Sequence, residues 1–326
     1  MSFKIANIDV QGHVVLGPMA GYTTLSYRKF MKPFGVGLTY SEMISDCGIF
    51  YGNQKTMEYL ATDESERPVG LQLFGFNIEN SRKAIQIMDE YAKYDILDLN
   101  FGCPVDKVTK NGAGSAWLKN VPALEEYTAE IVRISKHPVT AKIRLGWDLD
   151  HVNVFETSRA LQRAGVSAIT VHCRTRSQLY SGKADYHAIC GLKEELQVPL
   201  IVSGDIFTPE DAKKALEITH ADGVMVARGG VGNPYLVTQI NHYLDTGELL
   251  PNPGVLTQVD YAEQFSNMLI DQFGEAVAVR MLRGILPHFF AGFPGYKKLR
   301  VTITTTLNTK DDVDRILKGI REKESR

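Results

Sequence analysis

The stretch VPALEEYTAEIVRISKHPVTAKIRLG, residues 121–146, holds one complete structural unit. Residues 121–135 space their apolar side chains as a helix does, and VTAKIRLG (139–146) then alternates as a strand does. In that strand Lys142 and Arg144 share one face, while Ala141, Ile143 and Leu145 share the other. The apolar face must pack against helices, so both cations point into whatever the strand encloses.

Outward from this unit the same alternation recurs. Further strand-like runs lie at 14–21, 37–44, 69–75, 96–102, 168–174, 199–205 and 223–229, with helical patterns such as 80–94 and 208–219 between them. The last of these helices opens on Thr208 as N-cap, with Pro209 at its first position. Eight strand–helix alternations predict an α/β fold, a (β/α)8 TIM barrel over residues 1–247. Parallel strands need crossover helices, and the eighth strand can pair with the first. Pro251, Pro253 and Gly254 punctuate the chain beyond it. Residues 248–326 show helical patterns only, which predicts a small C-terminal all-helical domain. Its stripe of Tyr261, Phe265, Leu269 and Phe273 is expected to be helix core.

Across 326 residues, 44% are apolar and 23% charged, the balance of a soluble globular protein. No apolar run is long enough for a membrane span and no secretory signal is visible, so a cytoplasmic location is expected. The four cysteines, Cys47, Cys103, Cys173 and Cys190, form no C-x-x-C pair and no zinc spacing, so neither a disulfide framework nor a metal is expected. The net charge of −2 argues against a uniformly basic nucleic-acid binder. From Ala276 to Arg326, however, eleven lysines and arginines stand against five acids, and that basic tail suggests an anionic partner.

Barrels of this kind carry their active sites at the C-terminal ends of the strands. Gln72, Asn100, Cys103, Lys142, Arg144, His172 and Arg174 gather there. Unpaired buried charges cost several kcal/mol, so the two inward cations imply an anionic or electron-rich ligand, or an internal salt bridge with Asp98 or Glu42. Gly204, Gly229, Gly230 and Gly232 follow the last two strands, where backbone N–H groups can approach a phosphate. Cys103 lies past a strand end between Gly102 and Pro104, which directs it toward a cavity; the other three cysteines are expected to be structural.

The segments GPMAGYT (17–23), QLFG (72–75), LNFGCPVDKVTKNGAGSAWL (99–118), AKIRLGWD (141–148), VHCRTRSQLYSGKADY (171–186), SGDIFTPEDA (203–212), GVMVARGGVGNPYL (223–236) and FFAGFPGYKKLR (289–300) are similar, in order, to those of the tRNA-dihydrouridine synthases. The bacterial B-type branch is the nearest. The resemblance implies an FMN-containing barrel, NADPH as reductant, and tRNA as the substrate held by the helical domain. It implies that Pro18 and Met19 line the flavin, Gln72 bonds its pyrimidine edge, Lys142 meets the N1–C2=O region, and His172 lies by the ring or ribityl chain. Ser203, Gly204, Asp205, Ala227, Arg228 and Gly229 would hold the ribityl chain and phosphate. Ser203 and Ala227 depart from the family's usual Asn and Gly. Asn100, Arg144 and Arg176 are expected to contact the target uracil or its phosphate, and Lys107 and Lys110 on a mobile glycine-rich loop to meet further phosphates.

On that resemblance the flavin N5 delivers hydride to C6 of the uridine and Cys103 protonates C5. A thiol with the ordinary pKa of about 8.5 is protonated near neutral pH, which suits a proton donor. Two other readings stand beside this one. The first is a small-molecule pyrimidine flavoenzyme like a dihydroorotate dehydrogenase; the second is a tRNA-binding chaperone that keeps the barrel as scaffold.

Overall fold

The computed structural model describes residues 2–324. A hairpin of β1 (Ser2–Ile5) and β2 (Ile8–Gln11) precedes the parallel strands β3 (Val14–Leu16), β4 (Thr39–Ser45), β5 (Val69–Phe74) and β6 (Ile96–Asn100). These are followed by β7 (Val139–Arg144), β8 (Ala168–His172), β9 (Leu200–Ser203) and β10 (Gly223–Val226). The sheet runs β3-β10-β9-β8-β7-β6-β5-β4. It closes where the Leu16 N–H donates to Leu38 O and the Gly37 N–H to Val14 O, each at 2.9 Å. The predicted TIM barrel is thus formed by the eight predicted strands.

Alternation along the strands sorts side chains between two environments. Leu97, Leu99, Ala141, Ile143, Ile169 and Val171 are buried against the outer helices. Those helices include Ile78–Tyr91, Val121–Ile134 and Pro209–Thr219, the last capped by Thr208 through a reciprocal bond with Asp211. The opposite set points inward in layers, with Gln72 beside Asp98, Asp98 beside Thr140, and Asn100 beside Lys142. Arg144 pairs in register with His172, and His172 with Ser203.

Two differences from expectation have simple causes. β3 stops at Leu16 rather than continuing to residue 21, because Pro18 has no N–H to offer a ladder; residues 17–21 turn into the cavity instead. The N-terminal hairpin was not expected. Its Ile5 and Val10 plug the barrel floor against Val15, Leu38, Tyr40, Ile96, Ala168, Ile201 and Met225. The alternation Phe3-Lys4-Ile5 and Ile8-Asp9-Val10 around a two-residue turn was its signal.

After the last barrel helix, Tyr235–Thr246, come the helices Val255–Phe273, Glu275–Ile285, Tyr296–Thr306 and Lys310–Glu324. The expected stripe is core. Phe265 and Leu269 are fully buried, and the Phe265 ring lies 5.9 Å from Tyr27, 5.4 Å from Phe30 and 6.0 Å from Phe289. Tyr27 and Phe30 belong to the first barrel helix, Leu25–Met31, so the aromatic cluster seats the helical region on the barrel. No described helix is long and apolar enough to cross a membrane.

Candidate active site

The C-terminal strand ends enclose a cavity of about 450 Å3, within the range of small-ligand sites. Cys103, Asn100 and Arg144 line it. So do Pro18, Met19, Gln72, Lys142, His172, Ser203, Gly204, Asp205, Ala227, Arg228 and Gly229. Arg176 does not. It pairs with Asp106 and lies 4.5 Å from the Trp147 ring, drawn outward to the carboxylate and ring nearest its loop. Tyr22, Met43, Tyr180, Phe207 and His288 also line the cavity without having been expected. Tyr180 was legible, since it lies within the segment 171–186. His288 was not, because it arrives from the helical region, where only the fold brings it to the barrel.

The Cys103 turn is held at every main-chain group that could move it. Asn100 Oδ1 accepts the N–H groups of Gly102 at 3.1 Å and Cys103 at 2.8 Å. The Cys103 carbonyl accepts from both the N–H and the Oγ of Ser115, each at 3.0 Å. Arg144 Nε donates to Gly102 O at 2.8 Å. The segment after Cys103 is therefore not an open glycine loop. It folds as the short helix Asp106–Thr109 and the 3-10 helix Gly114–Lys119, and Gly114 lets it fold back, since a Cβ there would stand 2.8 Å from Cys103 O.

Lys142 and Arg144 both face the cavity, as the alternation predicts, and neither forms an ion pair among the described residues. The two acids that could have paired with them are occupied elsewhere: Glu42 accepts from the Gly21 N–H, and Asp98 from Gln72 and Thr140. Arg144 spends its donors on backbone, its NH1 reaching Thr175 O and Leu179 O, each at 2.8 Å. Lys142 has no hydrogen-bond partner among the described residues. Burial, then the Arg144 charge, lowers its ammonium to about 8. Burial also holds His172 well below the ordinary imidazole value, reinforced by Lys142, Arg144, Arg174 and Arg228, and its buried Nε2 has no hydrogen-bond partner among the described residues. The Cys103 thiol is pushed up by burial, against the Val105 N–H and the charges of Arg144 and Lys142. It is therefore a protonated thiol at neutral pH.

The far end of the cavity is built on Asp205, whose carboxylate accepts from Arg174 at 2.5 Å, the Ala184 N–H at 2.8 Å and Arg228 at 3.3 Å. Arg228 lies between the rings of Tyr180 and Phe207, at 4.9 and 5.7 Å. Gly229 passes so close to Ile206 O that a Cβ would lie 2.1 Å away. One wall is thus apolar, from Met19, Met43 and Met225, and the other carries an unpaired ammonium, an orphaned imidazole nitrogen and a backbone cradle. That combination fits an aromatic group with an electron-rich edge and an anionic tail, as FMN has. Among the described residues no cluster of three or more His, Cys, Asp or Glu is placed to hold a metal ion.

A model of the dihydrouridine synthase (Dus) family matches residues 15–323. A probable tRNA-dihydrouridine synthase of Rickettsia bellii (strain RML369-C) is 36% identical over 298 residues, 91% of either chain. The tRNA-dihydrouridine synthase B of Pseudomonas aeruginosa is 32% identical over 320 residues, 98% of this chain and 95% of the relative. Among solved structures, morphinone reductase superposes with a TM-score of 0.51 at 13% identity, over 77% of this chain and 91% of that one. Histamine dehydrogenase from Rhizobium sp. 4-9 does so with a TM-score of 0.56 at 13% identity, over 82% and 50%. The structural likeness is one of fold alone. The sequence matches reach further, since they run along almost the whole chain at more than 30% identity, and by them the chain belongs to the tRNA-dihydrouridine synthase (Dus) family, on its B-type branch.

Proposed function

We propose that this chain reduces a uridine of tRNA to 5,6-dihydrouridine, with Cys103 as the proton donor. The observation that carries it is the buried, protonated Cys103 thiol facing a cationic cradle in a member of this family. Bound there, FMN reduced by NADPH would supply a hydride to C6 of the uracil. Pro18, Met19, Gln72, Lys142 and His172 would hold its ring, and Ser203, Gly204, Asp205, Ala227, Arg228 and Gly229 its ribityl chain and phosphate. Cys103 gives its proton to C5 while Asn100 and Arg144 keep the turn in place beside the uracil. A base paired in tRNA must leave the stack to reach such a cavity.

Residues 1–247 form the catalytic part in this reading and 248–326 the tRNA-binding part. Lys297, Lys298 and Arg300 are exposed on one helix with no ion-pair partner among the described residues. Changing all three to Gln should weaken tRNA binding and lower the dependence of log K on log salt by about 0.7 to 0.9 for each phosphate no longer neutralised. Filter binding across a salt series measures it, and an unchanged slope removes this helix from the interface. The basic tail counts against a dihydroorotate-type enzyme, and the intact Cys103, Lys142 and His172 set counts against a chaperone.

Lys142 makes FMN affinity pH-dependent. Its ammonium, lowered to about 8, is charged below that pH and neutral above it. Affinity of the flavin-free protein for FMN should therefore be highest below pH 8 and fall as pH rises through it. Lys142→Met should bind more weakly and without this limb in a fluorescence titration; an unaltered limb would assign it to another group.

The reading itself is tested anaerobically. The protein is reduced with NADPH, mixed with unmodified tRNA, and flavin reoxidation is followed alongside dihydrouridine content. Fast reoxidation with dihydrouridine formed is expected; reduction without tRNA-dependent reoxidation overturns the tRNA substrate.

A further inference from the structure

Below the cavity floor lies a carboxylate that takes no direct part in lining it. Asp98 is 1% exposed, between Gln72 on β5 and Thr140 on β7. Its Oδ2 accepts from Gln72 Nε2 at 2.6 Å and its Oδ1 from Thr140 Oγ1 at 2.6 Å. Gln72 Oε1 in turn accepts from Asn100 Nδ2 at 2.7 Å, and Asn100 Oδ1 accepts the Gly102 and Cys103 N–H groups. Each link of this chain donates toward Asp98, and Asn100 Nδ2 also reaches Met43 Sδ at 3.0 Å.

An amide donates on one side and accepts on the other, so it can be turned over; an ionised carboxylate only accepts. Turning Gln72 would set its oxygen against the carboxylate. Turning Asn100 would set its NH2 against two backbone N–H groups. Each inversion leaves buried polar atoms unpaired in a low-dielectric interior, so the chain has one polarity.

We propose that Asp98 is a positioning residue for the reaction: an acceptor-only group that fixes the Gln72 and Asn100 amides and, through them, the direction of the Cys103 turn. This rests on the reading of Cys103 as proton donor. Burial raises the Asp98 carboxyl to about 6, against the bonds from Thr140 and Gln72 and the Lys142 charge, so it remains ionised at neutral pH.

Asp98→Leu keeps the branched skeleton, puts methyl groups where the two acceptor oxygens stand, and leaves Gln72 with nothing to donate to. Asp98→Asn keeps an acceptor for Gln72 and can donate to Thr140, whose hydroxyl is within 3.3 Å of Tyr40 Oη. In the full-length holoprotein, exchange of the Gly102 and Cys103 amides should quicken by at least about tenfold in Asp98→Leu and stay protected in Asp98→Asn. Single-turnover uridine reduction should fall by about a hundredfold in Asp98→Leu, a misplacement effect, and by under about tenfold in Asp98→Asn, with reduction by NADPH retained in both. Gln72→Met breaks the chain one link later and leaves Asp98 bonded to Thr140. It must quicken the same two amides, and it decides the matter if Asp98→Leu does not fold. Unchanged exchange in these variants overturns the proposal. If wild-type protein forms no dihydrouridine while exchange follows this order, the tRNA reading fails and the positioning stands; turnover with unaltered exchange fails the positioning alone.

Discussion

Cys103→Ala should yield a flavoprotein that still takes electrons from NADPH but reduces uridine in tRNA about 10^2 to 10^4 times more slowly, the range for a lost general acid. The substitution is clean because the turn does not depend on the side chain. Asn100, Ser115 and Arg144 hold its main-chain N–H and carbonyl groups, so alanine deletes the thiol and leaves the backbone where it was. Reduction by NADPH needs no proton from this residue and should be unaffected. Because burial raises the thiol, the wild-type rate should be level through neutral pH and fall only at alkaline pH as the thiol ionises. Rapid mixing of reduced enzyme with tRNA measures both statements. A Cys103→Ala variant that reoxidises at the wild-type rate would end the assignment of Cys103 as acid.

The place of Cys103 at the cavity was legible in the sequence because strand ends and barrel geometry are local. A cysteine between Gly102 and Pro104 just past an apolar run can be placed without knowing what surrounds it, and so can two cations two residues apart on β7. Partner choice is not local. That Arg144 would bond three carbonyls, that Arg176 would turn outward to Asp106, and that Asn100 would serve the Cys103 turn all depend on side chains separated in the chain. Asp98 was visible only as a possible salt-bridge partner for the cations. Its actual partners are neutral groups on the two flanking strands, because strand register sets it beside Gln72 and Thr140. The N-terminal hairpin was missed for another reason. Each strand is four residues long, too short for its alternation to stand out.

Arg28 carries the second large effect, and it too joins distant parts of the chain. Its guanidinium bonds both Glu66 oxygens, at 2.5 and 3.0 Å, with the two side chains 2% and 0% exposed. Its other donors go to Thr23 O at 2.9 Å and Ala61 O at 2.7 Å. Arg28→Met should destabilise the fold by about 3–5 kcal/mol, because it strands the Glu66 carboxylate in an interior that cannot hydrate it. Arg28→Met combined with Glu66→Leu should recover most of that loss, since replacing both charges removes the uncompensated ion rather than creating it. Urea unfolding of the single and double variants measures the difference, and equal losses would mean that packing, not charge, makes the site stable. The effect should reach the cavity as well. Thr23 Oγ1 lies 3.0 Å from the Met19 N–H it accepts, and Met19 lines the wall expected to meet the flavin. Freeing the Thr23 carbonyl loosens that turn, so the single variant should release FMN more readily than wild type while still folded. The double variant, equally without the Arg28 bond to Thr23, should release it as readily even though its stability is restored. Separate recovery of the two properties would show Arg28 serving the fold through Glu66 and the flavin wall through Thr23.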